Sequence, residues 1–100
     1  MRNRSQFVLG LAVCMLVLST PAVSQQRNVA LLASSCAACH GTNGHSVGGM
    51  PSLAGSSPSH FIEQMRQFTE GERISTVMFH HASGYTKEEI KLMAAYFSKQ

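Results

Sequence analysis

Cys36-Ala37-Ala38-Cys39-His40 is the stretch whose reading decides the fold of this 100-residue chain. C-x-x-C-H is a pattern for covalent attachment of c-type haem. A helical turn advances about 100° per residue, so Cys36, Cys39 and His40 leave the backbone on one side and reach one flat ligand. The two sulfurs would add to the haem vinyl groups. The imidazole of His40 would bind the iron from the proximal face, its other ring nitrogen needing an acceptor to fix tautomer and orientation. Ala37 and Ala38 leave room for the porphyrin.

Other uses of these five residues fit less well. A zinc site wants four protein ligands, normally in two spaced pairs, and no cysteine follows Cys39. A thioredoxin-like pair sits at a strand-to-helix junction, whereas the flanks here read as helical or glycine-rich. A disulfide across so short a loop would stabilise little.

Ahead of this stretch, Arg2 and Arg4 precede an apolar run from Phe7 to Leu18 and then the small residues Ala22-Val23-Ser24. That order is expected of a secretory signal peptide over residues 1–24, cleaved before Gln25. An uncleaved membrane anchor would need about 20 apolar residues, more than precede Ser19, Thr20 and Pro21. Cys14 lies inside the apolar run and is expected to play no part in the mature protein. Removing residues 1–24 leaves six basic against five acidic side chains. Two haem propionates would then make the holoprotein slightly anionic, so nothing in the charge supports nucleic-acid binding.

The remaining residues 25–100 form a single domain of a size at which an apolar core is marginal and a covalent or metal staple completes it. Haem would supply that core, and export to an oxidising compartment such as the periplasm suits a thiol pair that is otherwise prone to close on itself. Val29 to Ser35 reads as a helix delivering the cysteine turn. Between Gly41 and Ser57, five glycines with Asn43, Ser46 and Pro51 make a compact loop with fixed turns, where His45 is expected to be solvated. Ser57-Pro58 offers an N-cap and a proline at the first helical position. Phe61, Ile62, Met65 and Phe68 follow at helical spacing, ending near Gly71. Thr86 with Glu89 is a capping box, and behind it Ile90, Met93, Ala94 and Phe97 form one face, widened by Leu92 and Tyr96. Packing this last helix on the first closes an all-α domain around one covalent haem.

An electron-transfer haem is usually six-coordinate, and a distal thioether raises its potential relative to a second imidazole. Met65 and Met93 belong to core faces of helices, and Met50 lies close in sequence to His40 on the proximal side. Met78, well beyond His40 and between the two later helices, is placed to wrap around the ring. His80 and His81 are its competitors, and either would make a bis-histidine site.

Cys36-Ala37-Ala38-Cys39-His40-Gly41 with Asn43-Gly44, then Pro51-Ser52-Leu53-Ala54-Gly55, then Ala94-Ala95-Tyr96-Phe97 resemble class I cytochromes c of the c4/c553 type. Gly71-Glu72-Arg73, Ser75-Thr76-Val77-Met78 and Gly84-Tyr85-Thr86 are similar to the cytochrome subunits of flavocytochrome c sulfide dehydrogenases and related sulfur-oxidation cytochromes. The resemblance implies a class I cytochrome c fold with Cys36 and Cys39 as thioether residues and His40 and Met78 as axial ligands. It implies further that the carbonyl of Pro51 accepts the hydrogen bond of His40, and that Leu53 packs on the ring. It also implies a periplasmic electron-transfer subunit, not itself an enzyme, that accepts electrons from a sulfide-oxidising flavoprotein and passes them to other redox proteins. The alternative is a free-standing soluble carrier of the c553/c4 kind. An association with the membrane would require that residues 1–24 stay attached. Phe79-His80-His81-Ala82-Ser83 departs from the basic and aliphatic stretch usual at that place.

Overall fold

The computed structural model describes residues 22–100, with side-chain surroundings from Asn28 onward. Most of the expected export signal, including Cys14, lies outside the described residues; the expected cleavage point before Gln25 falls within the first helix. The helices are α1 (Ala22–Ser34), α2 (Ala37–His40), α3 (Pro58–Thr69), α4 (Met78–Ser83) and α5 (Lys87–Ser98), with a 3₁₀ turn at Thr42–Gly44. No strand occurs among the described residues. Nor, among them, is any helix long and apolar enough to cross a membrane.

Each long helix starts and stops where local chemistry says it must. In α3, the Ser57 hydroxyl accepts from the backbone N–H of His60 at 3.4 Å and Pro58 occupies the first helical position. Gly71, at φ +71°, ends the helix in the left-handed region that an L side chain avoids. In α5 the capping box is complete: Glu89 N–H donates to the Thr86 hydroxyl at 3.1 Å, and Thr86 N–H donates to the Glu89 carboxylate at 2.8 Å. Glu88 and Glu89 also place negative charge at the positive end of the helix dipole.

Apolar positions at i, i+3 and i+4 then decide the packing. Helix α5 lies against both α1 and α3, and α3 against α4. Ala33 of α1, Phe61 and Met65 of α3, Ala82 of α4, and Met93, Ala94 and Phe97 of α5 form one buried cluster. Within it the rings of Phe61 and Phe97 meet at 5.5 Å between centroids, a separation suited to aromatic pairing. The loop after α2 is fastened to this core. The Gly44 carbonyl accepts from Leu53 and Ala54 at 2.9 and 3.1 Å, and Gly55 N–H donates to Phe97 O at 2.9 Å. Tyr96 donates its hydroxyl proton to Asn43 Oδ1 at 2.9 Å.

One helix departs from the sequence expectation, which leaves the segment around Met78 as a connection. Residues Met78–Ser83 form α4, although its N-cap, Val77, supplies no side-chain bond. Burial of Ala82 to 1% exposure against the core holds this turn in place. Neither a cap nor a long apolar period announces it. Phe79, which a helical core could have taken in, is instead 45% exposed.

On the solvent face of α3 a single guanidinium gathers three carboxylates. Arg66 pairs with Glu63 at 2.7 Å, with Glu72 at 2.8 Å and with Glu70. The hydrogen bond from Arg66 lowers the Glu63 carboxyl to about 2, and Glu72 is lowered by the same partner. A folded-state pKa below the unfolded one contributes stability that is present above the ordinary carboxylate range and lost as pH falls toward the folded value. Thermal midpoints should therefore decline between pH 4.5 and about 2. An Arg66→Gln variant should flatten that decline by lowering the neutral-pH midpoint toward the acid one, by the modest amount that an exposed ion pair contributes. An unchanged acid limb in the variant would remove Arg66 from the account.

Candidate cofactor site

Helix α2 is a single turn, and its brevity places the chemistry. Cys36 caps it, with His40 N–H returning to Cys36 O at 2.9 Å, and Gly41 stops it at φ +85°. Cys36, Cys39 and His40 all line one cleft of about 370 Å³. Both cysteines are free thiols, Cys36 partly buried and Cys39 exposed. Burial pushes the Cys36 thiol up, a shift that the neighbouring Ser35 hydroxyl partly offsets. Ser35 in turn shares a 2.6 Å hydrogen bond with the Tyr85 hydroxyl, fifty residues on, which closes the seam between the cysteine turn and the entrance to α5.

His40 is 9% exposed, and its Nδ1 lies 2.6 Å from the carbonyl oxygen of Pro51. A carbonyl only accepts, so Nδ1 carries the proton and donates. Nε2 is left with its lone pair, the form that a metal takes. Pro51 reaches this position because the loop is folded back upon Gly44. Leu53, anchored there by its own N–H, lines the cleft beside it.

The facing wall comes from α3 and α4. Phe61, Met65 and Phe68 supply apolar surface, and Met78, half-buried against the core cluster, brings a thioether. Of the two adjacent histidines, both exposed, only His81 lines the cleft; His80 packs edge-on to Phe79, with ring centroids 5.3 Å apart. Met50 stands at the rim, half exposed, while His45 is exposed and not part of the lining. A more open groove of about 670 Å³ lies between α1 and α5, with Ser35 and Tyr85 shared between it and the cleft, and it has no cysteine or histidine in its walls.

Charge in the cleft is one-sided. Arg73 is the single lysine or arginine in its lining, no carboxylate is present there, and the guanidinium lies 4.9 Å from the centroid of the Phe68 ring. Because Arg66 takes up Glu63, Glu70 and Glu72, Arg73 has no carboxylate partner among the described residues. Periodicity gives no warning of this: Arg73 follows the end of α3, and only the fold turns it toward the cleft. Two thiols at attachment spacing, an imidazole of fixed tautomer, a thioether, apolar walls and one cation suit an iron porphyrin bearing carboxylates.

A family model described as cytochrome c matches residues 27–100. The chain is 51% identical over 67 residues to the cytochrome subunit of sulfide dehydrogenase from Chlorobaculum tepidum, a match covering 67% of this chain and 61% of that protein. It is 38% identical over 63 residues to cytochrome c-552 of Acidithiobacillus ferridurans, covering 63% of this chain and 27% of the other. To the thiosulfate dehydrogenase electron acceptor of Thiomonas intermedia it is 36% identical over 69 residues, covering 67% and 32%. The chain thus spans about three fifths of the first relative and less than a third of the other two.

Proposed function

The chain belongs to the cytochrome c family, an all-α electron carrier with covalently bound haem c and no catalysis of its own, and from that premise we propose that it is an exported, periplasmic subunit taking electrons from a sulfide-oxidising flavoprotein. The observation that carries the electron-transfer reading is the convergence, in one cleft without a carboxylate, of two thiols, the Pro51-backed imidazole and a thioether. In this reading Cys36 and Cys39 would form the thioether links, His40 and Met78 would ligate the iron, and Leu53 would pack on the ring. Haem bound here supplies one reversible electron, iron(II) to iron(III), with donors that both oxidation states accept. The chain's residues do the rest. His40 is held in one tautomer by Pro51, the apolar walls of α3 limit water, and Arg73 offers its charge to the carboxylates of the cofactor.

The partner reading is supported by the rim of the cleft and by similarity to a sulfide dehydrogenase subunit. Ile74 is 98% exposed, and Met50 and Val77 are about half exposed, yet all three line the cleft mouth. Large apolar side chains in water at the one opening suit a partner held by burial of that rim. Residues 25–100 carry six basic against five acidic side chains, so long-range steering has little to act on.

The protein purified from its source should therefore co-elute with a flavin-containing chain, survive high salt, and show haem reduction on adding sulfide. Elution as a lone chain, without flavin and without reduction by sulfide, would leave a free-standing soluble carrier of the c553/c4 kind as the better account.

A further inference from the structure

Met78 and His81 stand three residues apart on α4, and both line the cleft. At about 100° per residue such a pair shares one helix face, whereas His80 is turned to the other side. We propose that His81 is a reserve distal ligand, which takes the iron when the Met78 thioether leaves it. The proposal rests on the reading above, in which Met78 is the resting ligand.

Three features of α4 make the exchange feasible. The helix has six residues and no side-chain bond from its N-cap, and its first turn is tied by the Ser75 hydroxyl, which accepts from Phe79 N–H at 3.0 Å, so a shift of about 4.5 Å along its axis, three residues' rise, breaks few side-chain bonds. Its single buried residue, Ala82, holds the helix to the core through one methyl group, which constrains the register less than a long side chain would. His81 accepts no ion pair among the described residues and takes part in no side-chain hydrogen bond there. In the exchange an iron–sulfur bond breaks, an iron–nitrogen bond forms, and no electron is transferred. An imidazole in place of a thioether lowers the potential, so the exchanged form holds its electron less readily while the iron stays closed to outside ligands.

The test uses the haem-loaded protein and reads coordination, not activity. Wild-type protein should show the weak near-infrared sulfur-to-iron band. Met78→Ala should lose that band yet stay low-spin with a bis-imidazole electron paramagnetic resonance signature. The double variant Met78→Ala, His81→Ala should turn high-spin. High-spin iron already in Met78→Ala would overturn the proposal and leave the Met78 assignment intact, whereas survival of the band in that variant would overturn the assignment itself. His60 also lines the cleft, on α3. Low-spin iron that persists in the His81 double variant, or is lost instead in Met78→Ala, His60→Ala, would likewise overturn the proposal. If Met78→Ala does not fold, His81→Ala alone serves. Gentle heating should convert wild type from the sulfur-ligated to a bis-imidazole spectrum, and the single variant to a high-spin one; identical end states would sink the idea.

Discussion

A Cys36→Ala, Cys39→Ala double variant is expected to lose its haem to acid-acetone extraction and, with the haem, most of its fixed tertiary structure. The size of the effect follows from how little core there is without the cofactor. Eight apolar side chains are buried among the described residues, and three of them are alanines, one each of α1, α4 and α5. A fully buried large apolar side chain contributes about 1.5–3 kcal/mol, against roughly 1–2 kcal/mol of backbone entropy for every ordered residue. The haem would fill a cleft of about 370 Å³ whose walls include Leu53, Phe61, Met65, Phe68 and Met78, and without it each of these loses apolar burial that a domain of only about 5–15 kcal/mol total stability needs. Near-ultraviolet circular dichroism and thermal unfolding of the variant should show broad, weak transitions with helix partly retained. A variant that unfolds with the cooperativity and midpoint of the holoprotein would mean that the apolar cluster suffices and that the cleft is a pocket in a prefolded domain.

The same imbalance explains which parts of this molecule can be read from its sequence. Helices α3 and α5 announce themselves twice, by their caps at Ser57 and Thr86 and by apolar spacing that ends in Phe61, Met65, Met93 and Phe97, all buried. Cys36, Cys39 and His40 are legible because the attachment pattern confines the chemistry to five consecutive residues. Helix α4 is not, since Ala82 against the core sustains it and an alanine carries no pattern. Bonds that join distant residues are silent as well: neither Ser35 with Tyr85 nor Asn43 with Tyr96 belongs to a local motif. Choosing between His80 and His81 needed the helix, because both are exposed and only the turn of α4 brings one of them, His81, to the lining of the cleft. Arg73 is legible as a charge but not as part of the cleft. Its place in the lining, over the ring of Phe68, comes from the turn of the chain after α3.

Gly41→Ala should be strongly destabilising although Gly41 does not line the cleft. Gly41 has φ +85° and ψ 165°, a combination that belongs to glycine almost alone and strains any other residue by about 1–3 kcal/mol. A methyl group there would also overlap the carbonyl oxygen of His45 and come within 2.6 Å of its carbon. Those atoms are backbone, so no rotamer change relieves the contact, and the loop itself must move. Overpacking of this kind costs about another 1–3 kcal/mol, for a total of roughly 3 kcal/mol or more. The loop in question runs on to Pro51, whose carbonyl fixes His40 Nδ1 at 2.6 Å. Displacing it loosens the imidazole, so the loss of stability should come with a lower yield of haem-loaded protein and a shifted reduction potential. Gly48→Ala in the same loop is the control, because its methyl would meet nothing within 4 Å and its φ is not positive. That variant should stay within about 0.5 kcal/mol of wild type. Thermal unfolding of both holoproteins, with potentiometric titration, separates the two effects. A Gly41→Ala protein as stable as the Gly48→Ala control would show that the loop yields freely, and that the orientation of His40 does not depend on the turn that follows it.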